Sequence, residues 1–196
     1  MIKFKKIIYF TLIAFSYTSF AQFSEPYRPS KAVLVSGDTL LGMGKIKNKS
    51  YKYKPHLKAK PKQIDFSKID FVQIRHSKDN IKTYKFLLLE GKEKYRTVRP
   101  SISGSRVELF FNSYNLSSTG AGGISVNQTI TKYYIRKTGE EKIKYLGKYD
   151  LFGKMRENVI KYFHDCPDLI EKIKNKTFRM RDGLEDVITF YNENCN

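Results

Sequence analysis

His164-Asp165-Cys166 is the one place in this chain where a base, a carboxylate and a sulfur meet. Read as chemistry, Cys166 would be a nucleophile activated by His164. Adjacent residues at a helix end point in different directions, however, and a cysteine held in a disulfide cannot attack. The three histidines are His56, His76 and His164. None lies two or four residues from another, so there is no local zinc motif. Serine-nucleophile signatures of the GxSxG type are absent, and Ser103-Gly104-Ser105 reads as a turn. Glycoside hydrolysis needs two acids facing each other about 5–10 Å apart. Glu108 is the acid set in a strongly apolar stretch, and Glu90 and Asp70 could approach it across a sheet. A salt bridge to one of the many lysines is the plainer use of each. The glycines at 120, 122 and 123 fit no dinucleotide register, and Gly42 and Gly44 fit no phosphate loop. No catalytic set, metal set or cofactor is nominated. A hydrolase with dispersed carboxylates is kept as a second alternative to a binding protein.

The residues that point to binding chemistry lie in Lys45–Lys62. Lysines occur at 45, 47, 49, 52, 54, 58, 60 and 62 with no acid among them, and Tyr51, Tyr53 and His56 are interleaved. Lysine with aromatics is the composition that holds anionic polymers, by charge and by stacking. Lys49, Tyr51, Lys52, Tyr53, Lys54, His56, Lys58 and Lys60 are the candidate anionic-ligand residues. Pro55 and Pro61 make the segment a loop or an edge rather than a central strand. The plainer alternative is a lysine-rich edge that discourages sheet-to-sheet pairing.

The address is written at the start. Lys3, Lys5 and Lys6 precede an apolar run over 7–15, and Ser19-Phe20-Ala21 places small residues where a signal peptidase reads. This is the pattern of a secretory leader cut after Ala21. The apolar run is too short for a spanning helix, which needs about 20 residues. No later segment is apolar enough to span, so no transmembrane span follows removal of the leader. About 175 residues then remain, enough for one domain, 22–196, with a real core. The formal charge is +18, or +15 without the three leader lysines. That balance favours an anionic partner, such as lipopolysaccharide or an acidic glycan, or an unidentified envelope protein. Export argues against nucleic acid. It leaves the periplasm, the outer-membrane surface and the medium open. A Lys-, Ile-, Asn- and Tyr-rich composition without Trp is also what AT-rich coding produces, and the charge is then ordinary solvated surface.

Two cysteines in an exported chain are an even count in an oxidising compartment. A Cys166–Cys195 bridge would close a loop of about 30 residues, worth roughly 3–4 kcal/mol in the loop-entropy model.

The elements that would carry these residues change period along the chain. Runs at 31–35, 40–46, 69–75, 81–89, 94–99, 105–113, 126–137 and 141–146 read as strands, separated by turn residues. Val107, Leu109 and Phe111 share one face, with Arg106 and Glu108 on the other. The paired glycines Gly42 and Gly44 indicate a bend or a close backbone approach. Asn115–Gly123 reads as a loop, and Pro100–Gly104 as a break. About eight short strands with no helix between them predict antiparallel pairing in a barrel or sandwich-like body over 31–148. From 150 the spacing turns helical, with Asp150 as an N-cap and Phe152, Met155, Val159, Tyr162 and Phe163 in register. Pro167 suits the first position of a second helix. Asp182 and Glu185 read as a capping box for a third, whose buried stripe is Leu184, Val187, Ile188, Tyr191 and Cys195. The expected fold class is α+β, an antiparallel barrel or sandwich-like body closed by a three-helix C-terminal cap.

Set out in this way, the chain resembles a group of exported proteins of Bacteroidota that carry no assigned activity. The shared pieces are Gly37-Asp38-Thr39-Leu40 with Gly42, then Leu88–Lys92, Tyr133–Glu140, Asp165–Ile173 and Ile188–Cys195. The resemblance implies export and one architecture over most of the mature chain. It implies no mechanism. His164 stands where a small residue is the group's pattern, so the resemblance gives it no shared role.

Overall fold

The structure, a computed structural model, describes residues 25–47, 49–119, 125–148 and 153–195. The leader, Asp150, Phe152 and the glycines at 120, 122 and 123 lie outside the described residues.

The strands are β1 (Arg28–Leu34), β2 (Thr39–Lys47), β3 (Ser50–Lys54), β4 (Lys62–Asp65), β5 (Ile69–Ser77), β6 (Asn80–Leu89), β7 (Tyr95–Ser103), β8 (Val107–Thr119), β9 (Ser125–Lys137) and β10 (Lys142–Lys148). They form one sheet in the order β10-β9-β8-β7-β6-β5-β1-β2-β3-β4. Every neighbouring pair in that order is antiparallel. One further pairing, parallel, joins Lys142 to Leu88 and Ile143 to Leu89. It turns β6–β10 into a closed ring of pairings. The body is therefore sandwich-like, and only its C-terminal half closes on itself.

Three cores follow from this path. In the N-terminal half, Tyr51, Phe66, Val72 and Phe86 share a cluster with Ala32 and Ile64. Phe66 follows edge strand β4, and Phe86 lies in β6. Their rings stack at 4.0 Å, so the half-sheet curls until its two sides meet. Inside the ring sit Leu89, Val98, Phe110, Tyr134 and Ile143. On the outside of the same ring, Val107, Leu109, Ile135 and Leu146 pack against the helices. Consecutive residues Leu109-Phe110 and Tyr134-Ile135 are thus buried on opposite faces. Strands covered on both sides lose the apolar–polar alternation. Phe110, not Phe111, is the buried aromatic of β8.

The cap consists of α1 (Lys154–Tyr162), α2 (Pro167–Lys174) and α3 (Glu185–Asn194). Pro167 occupies the first turn of α2, as its fixed φ and missing N–H favour. Cys166, at the N-cap of α2, is bonded to Cys195, at the C-cap of α3, with a Cα–Cα distance of 5.6 Å. The expected stripe of α3 is buried: Leu184, Val187, Ile188, Tyr191 and Cys195. Asn192 fastens that helix to the β7–β8 turn. Its Oδ1 accepts from the backbone N–H groups of Arg106 and Val107, both at 3.0 Å, and its Nδ2 donates to the Val107 carbonyl at 3.1 Å. Gly104 makes room for this clamp, since a Cβ there would strike the Asn192 amide.

Several local expectations fail for identifiable reasons. The capping box does not form: α3 starts after Leu184, Asp182 belongs to a 3-10 turn, and Gly183 at φ 110° separates them. The Glu185 carboxylate instead accepts from Ser101 Oγ at 2.8 Å and from its neighbour Leu184 N–H at 3.0 Å. Residues 115–119 are strand, not loop, because side-chain hydrogen bonds to β9 give the polar run its partners. Pro100 lies within β7, where the pairing with β8 shifts register between Pro100 and Ile102. β3 is an interior strand between β2 and β4, because Pro55 and Pro61 fall outside both and take no ladder position.

Candidate anionic-ligand surface

The lysine-rich segment is split by the sheet into two faces. In an antiparallel pair, directly opposed residues share a face. Tyr51 faces Ile46 and Ile64, towards the core. Its side chain is 0% exposed, and its hydroxyl meets Ser30 Oγ at 2.6 Å. Burial raises the Tyr51 phenol, with the Ser30 contact opposing. Tyr53 lies over Gly42 and donates to the Leu41 carbonyl at 2.8 Å. The two glycines are the cradle for these rings: a Cβ at Gly44 would strike the Tyr51 hydroxyl, and one at Gly42 the Lys54 carbonyl. The close approach expected of the pair is what they provide. Tyr51 is a core residue and reaches no ligand.

The opposite face is solvated and basic. Lys45 and Lys52 are direct cross-strand partners, and Lys54 stands opposite Met43 on the same side. The ammonium groups of Lys45 and Lys54 each lie 4.6 Å from the centroid of the Tyr27 ring. Each also donates to a carbonyl, Lys45 to Glu25 at 3.2 Å and Lys54 to Leu57 at 3.1 Å. None of the lysines between 45 and 62 is ion-paired with an acid among the described residues. Lys31, opposite Leu41, and Arg75, opposite Ile81, extend the basic face around a shallow hollow of about 340 Å³. The other nominated residues sit apart from this cluster. Lys49 is exposed in the β2–β3 turn; His56, Lys58 and Lys60 are exposed in the loop before β4.

Tyr27 joins this face with no signal in the sequence. It lies in the extended lead-in, between Pro26 and Arg28, where composition gives no hint that it meets β2 and β3. The same holds for Lys45 as a site residue: only the β2–β3 register sets it against Lys52.

The residues whose types could carry catalysis are separated or committed. Cys166 is in the disulfide. His164 is exposed, and its Nδ1 lies 3.3 Å from the Lys161 carbonyl. His76 lies 3.3 Å from the Tyr84 hydroxyl; burial first, then Lys82 and Arg28, push its pKa down. The three carboxylates go to three different cations: Glu108 to Arg136 at 2.5 Å, Glu90 to Lys144 at 3.6 Å and Asp70 to Lys85 at 3.8 Å. Among the described residues no helix is long and apolar enough to cross a membrane. Comparison with protein-family models, with curated proteins and with solved structures gave no match.

Proposed function

We propose that the chain is an exported, non-catalytic envelope module that holds an anionic glycan on the outer face of β2 and β3. The carrying observation is the direct opposition of Lys45 and Lys52, with Lys54 and Tyr27 beside them and none of the three lysines in an ion pair among the described residues. Like charges opposed across strands destabilise a sheet by a few tenths of a kcal/mol or more. A partner that supplies negative charge removes that penalty. Tyr27, its ring centroid 4.6 Å from both the Lys45 and Lys54 ammonium groups, puts an aromatic ring beside the charges for a sugar to pack against. The leader pattern and the bridge between the two cysteines support export, since disulfides persist in oxidising compartments. An envelope protein with an acidic surface is the alternative partner for the same face.

Retention of the mature chain on a sulfated-glycan column tests this. Lys45→Gln, Lys52→Gln and Lys54→Gln together should move elution to much lower salt. Lys58→Gln with Lys60→Gln, in the loop, should move it far less. Elution of the triple variant at the parent's salt concentration would reject the site.

A further inference from the structure

The inward-facing side of the β6–β10 ring does not end at its apolar core. Strand alternation places Arg96, opposite Leu87, two residues from Val98, and Lys132 two residues from Tyr134. Both cations therefore point into one open end of the ring, above a floor of Tyr134 and Leu89. A hollow of about 420 Å³ lies there, with Lys92 and Lys144 on its rim and Tyr145 as a wall. Lys144 is held by Glu90. Arg96 and Lys132 have no acidic partner among the described residues. The Nε of Arg96 is buried without a hydrogen-bond acceptor, a costly arrangement for a charged donor. The mouths of closed strand rings are recurrent ligand sites.

The same inward face continues past the ring. Beyond the Arg99–Phe111 and Lys148–Lys132 pairs, β8 and β9 pair, among the described residues, only with each other, from Ser113–Thr131 to Thr119–Ser125. This ribbon carries no charge from Asn112 to Thr131, in a chain that is 29% charged. Its outer face is a ladder of polar pairs: Ser113 with Thr131 at 2.8 Å, Asn115 with Thr129 at 2.9 Å, and Ser117 with Asn127 at 2.7 Å. Its inner face, in line with Phe110 and Tyr134, is mainly apolar: it carries Tyr114 opposite Ile130, Leu116 opposite Gln128, and Val126 opposite Ser118. Leu116 and Val126 are 47% and 57% exposed. An exposed two-stranded ribbon is marginal in water by itself. Here its apolar face rises directly from a cationic mouth.

We propose that this mouth and ribbon form a binding site for a single anionic amphiphile. Its phosphate or carboxylate head sits on Arg96 and Lys132, and its acyl tail lies along Tyr114, Leu116, Val126 and Ile130. Charge complementarity selects the head, and the charge-free apolar face selects the tail. A purely anionic ligand would leave the ribbon uncovered, and a purely apolar one would leave Arg96 and Lys132 without a counter-charge.

Calorimetric titration of the mature chain, below the critical micelle concentration, tests the assignment with four probes: dodecyl phosphate, dodecanoate, dodecanol and inorganic phosphate. One equivalent of dodecyl phosphate or dodecanoate should bind at least tenfold more tightly than dodecanol or inorganic phosphate. Arg96→Gln with Lys132→Gln should weaken the amphiphiles at least tenfold. Leu116→Ser with Val126→Ser, at exposed positions that leave the ring intact, should weaken them several-fold without altering the weak binding of phosphate. Lys52→Gln with Lys54→Gln should change nothing, which separates this site from the glycan surface. Equal affinity for phosphate and dodecyl phosphate would overturn the proposal. So would multiple equivalents insensitive to both variant pairs, or binding to phosphatidylglycerol vesicles with none to the monomeric probes.

Discussion

Tyr191 shows how much a single side chain in the cap depends on its neighbours. Its hydroxyl donates to Asp165 Oδ2 at 2.7 Å, joining α3 to the turn before α2. Burial first, then the hydrogen bond and charge of Asp165, push its pKa up to about 12 from an ordinary 10.0. The folded chain thus holds this proton more tightly than the unfolded chain. The contribution is complete below pH 10 and is lost as pH rises from about 10 towards 12. Tyr191→Phe should cost about 1–2 kcal/mol at neutral pH. Its deficit in thermal stability relative to the parent should shrink between pH 10 and 11.5, as the parent loses what the variant never had. An unchanged deficit across that range would exclude the linkage. This pairing was not legible in sequence. Helical spacing puts Tyr191 on the buried stripe, where the structure has it, but says nothing of a carboxylate arriving from another turn. Tyr51 failed the other way: a tyrosine among lysines reads as a surface residue until the register turns it to the core.

At the scale of elements, period and punctuation carried well, and side-chain competition did not. The helical cap, Pro167 at the start of α2 and the buried stripe of α3 follow from spacing alone. The far end of β8 did not, because Ser, Thr and Asn are turn formers by themselves and become strand residues only when opposed by their own kind. The capping box fails because Asp182 closes a 3-10 turn and the helix starts only at Glu185, whose carboxylate goes to Ser101 on a distant strand. The bridge between Cys166 and Cys195 joins the ends of two short helices that share few other constraints. Its loop of 29 residues predicts a loss of roughly 3–4 kcal/mol when both cysteines become serine, read by chemical denaturation. A loss below about 1 kcal/mol would show that packing of Leu169, Ile173 and Ile188 alone holds the cap.

As a whole, the molecule is built on one continuous sheet. The N-terminal half curls around Tyr51 and Phe86 and turns a basic face outward. The C-terminal half closes on Phe110 and Ile143, with the helices on its flank. The α+β class and the sandwich-like body could be read from strand count and spacing. The closure at β6 could not, since a two-residue parallel bridge between distant strands leaves no local trace. The net charge was legible, yet its arrangement was not: Lys45, Lys52 and Lys54 converge with Tyr27 only through register. The decisive measurement is the salt dependence of affinity for a sulfated oligosaccharide, parent against the Lys45, Lys52 and Lys54 to Gln variant. Each ammonium that displaces counterions contributes a slope of about 1 in log affinity against log salt. The variant's slope should be smaller by about 2–3. Parallel lines for the two proteins would show that these three lysines touch no polyanion, contradicting the site.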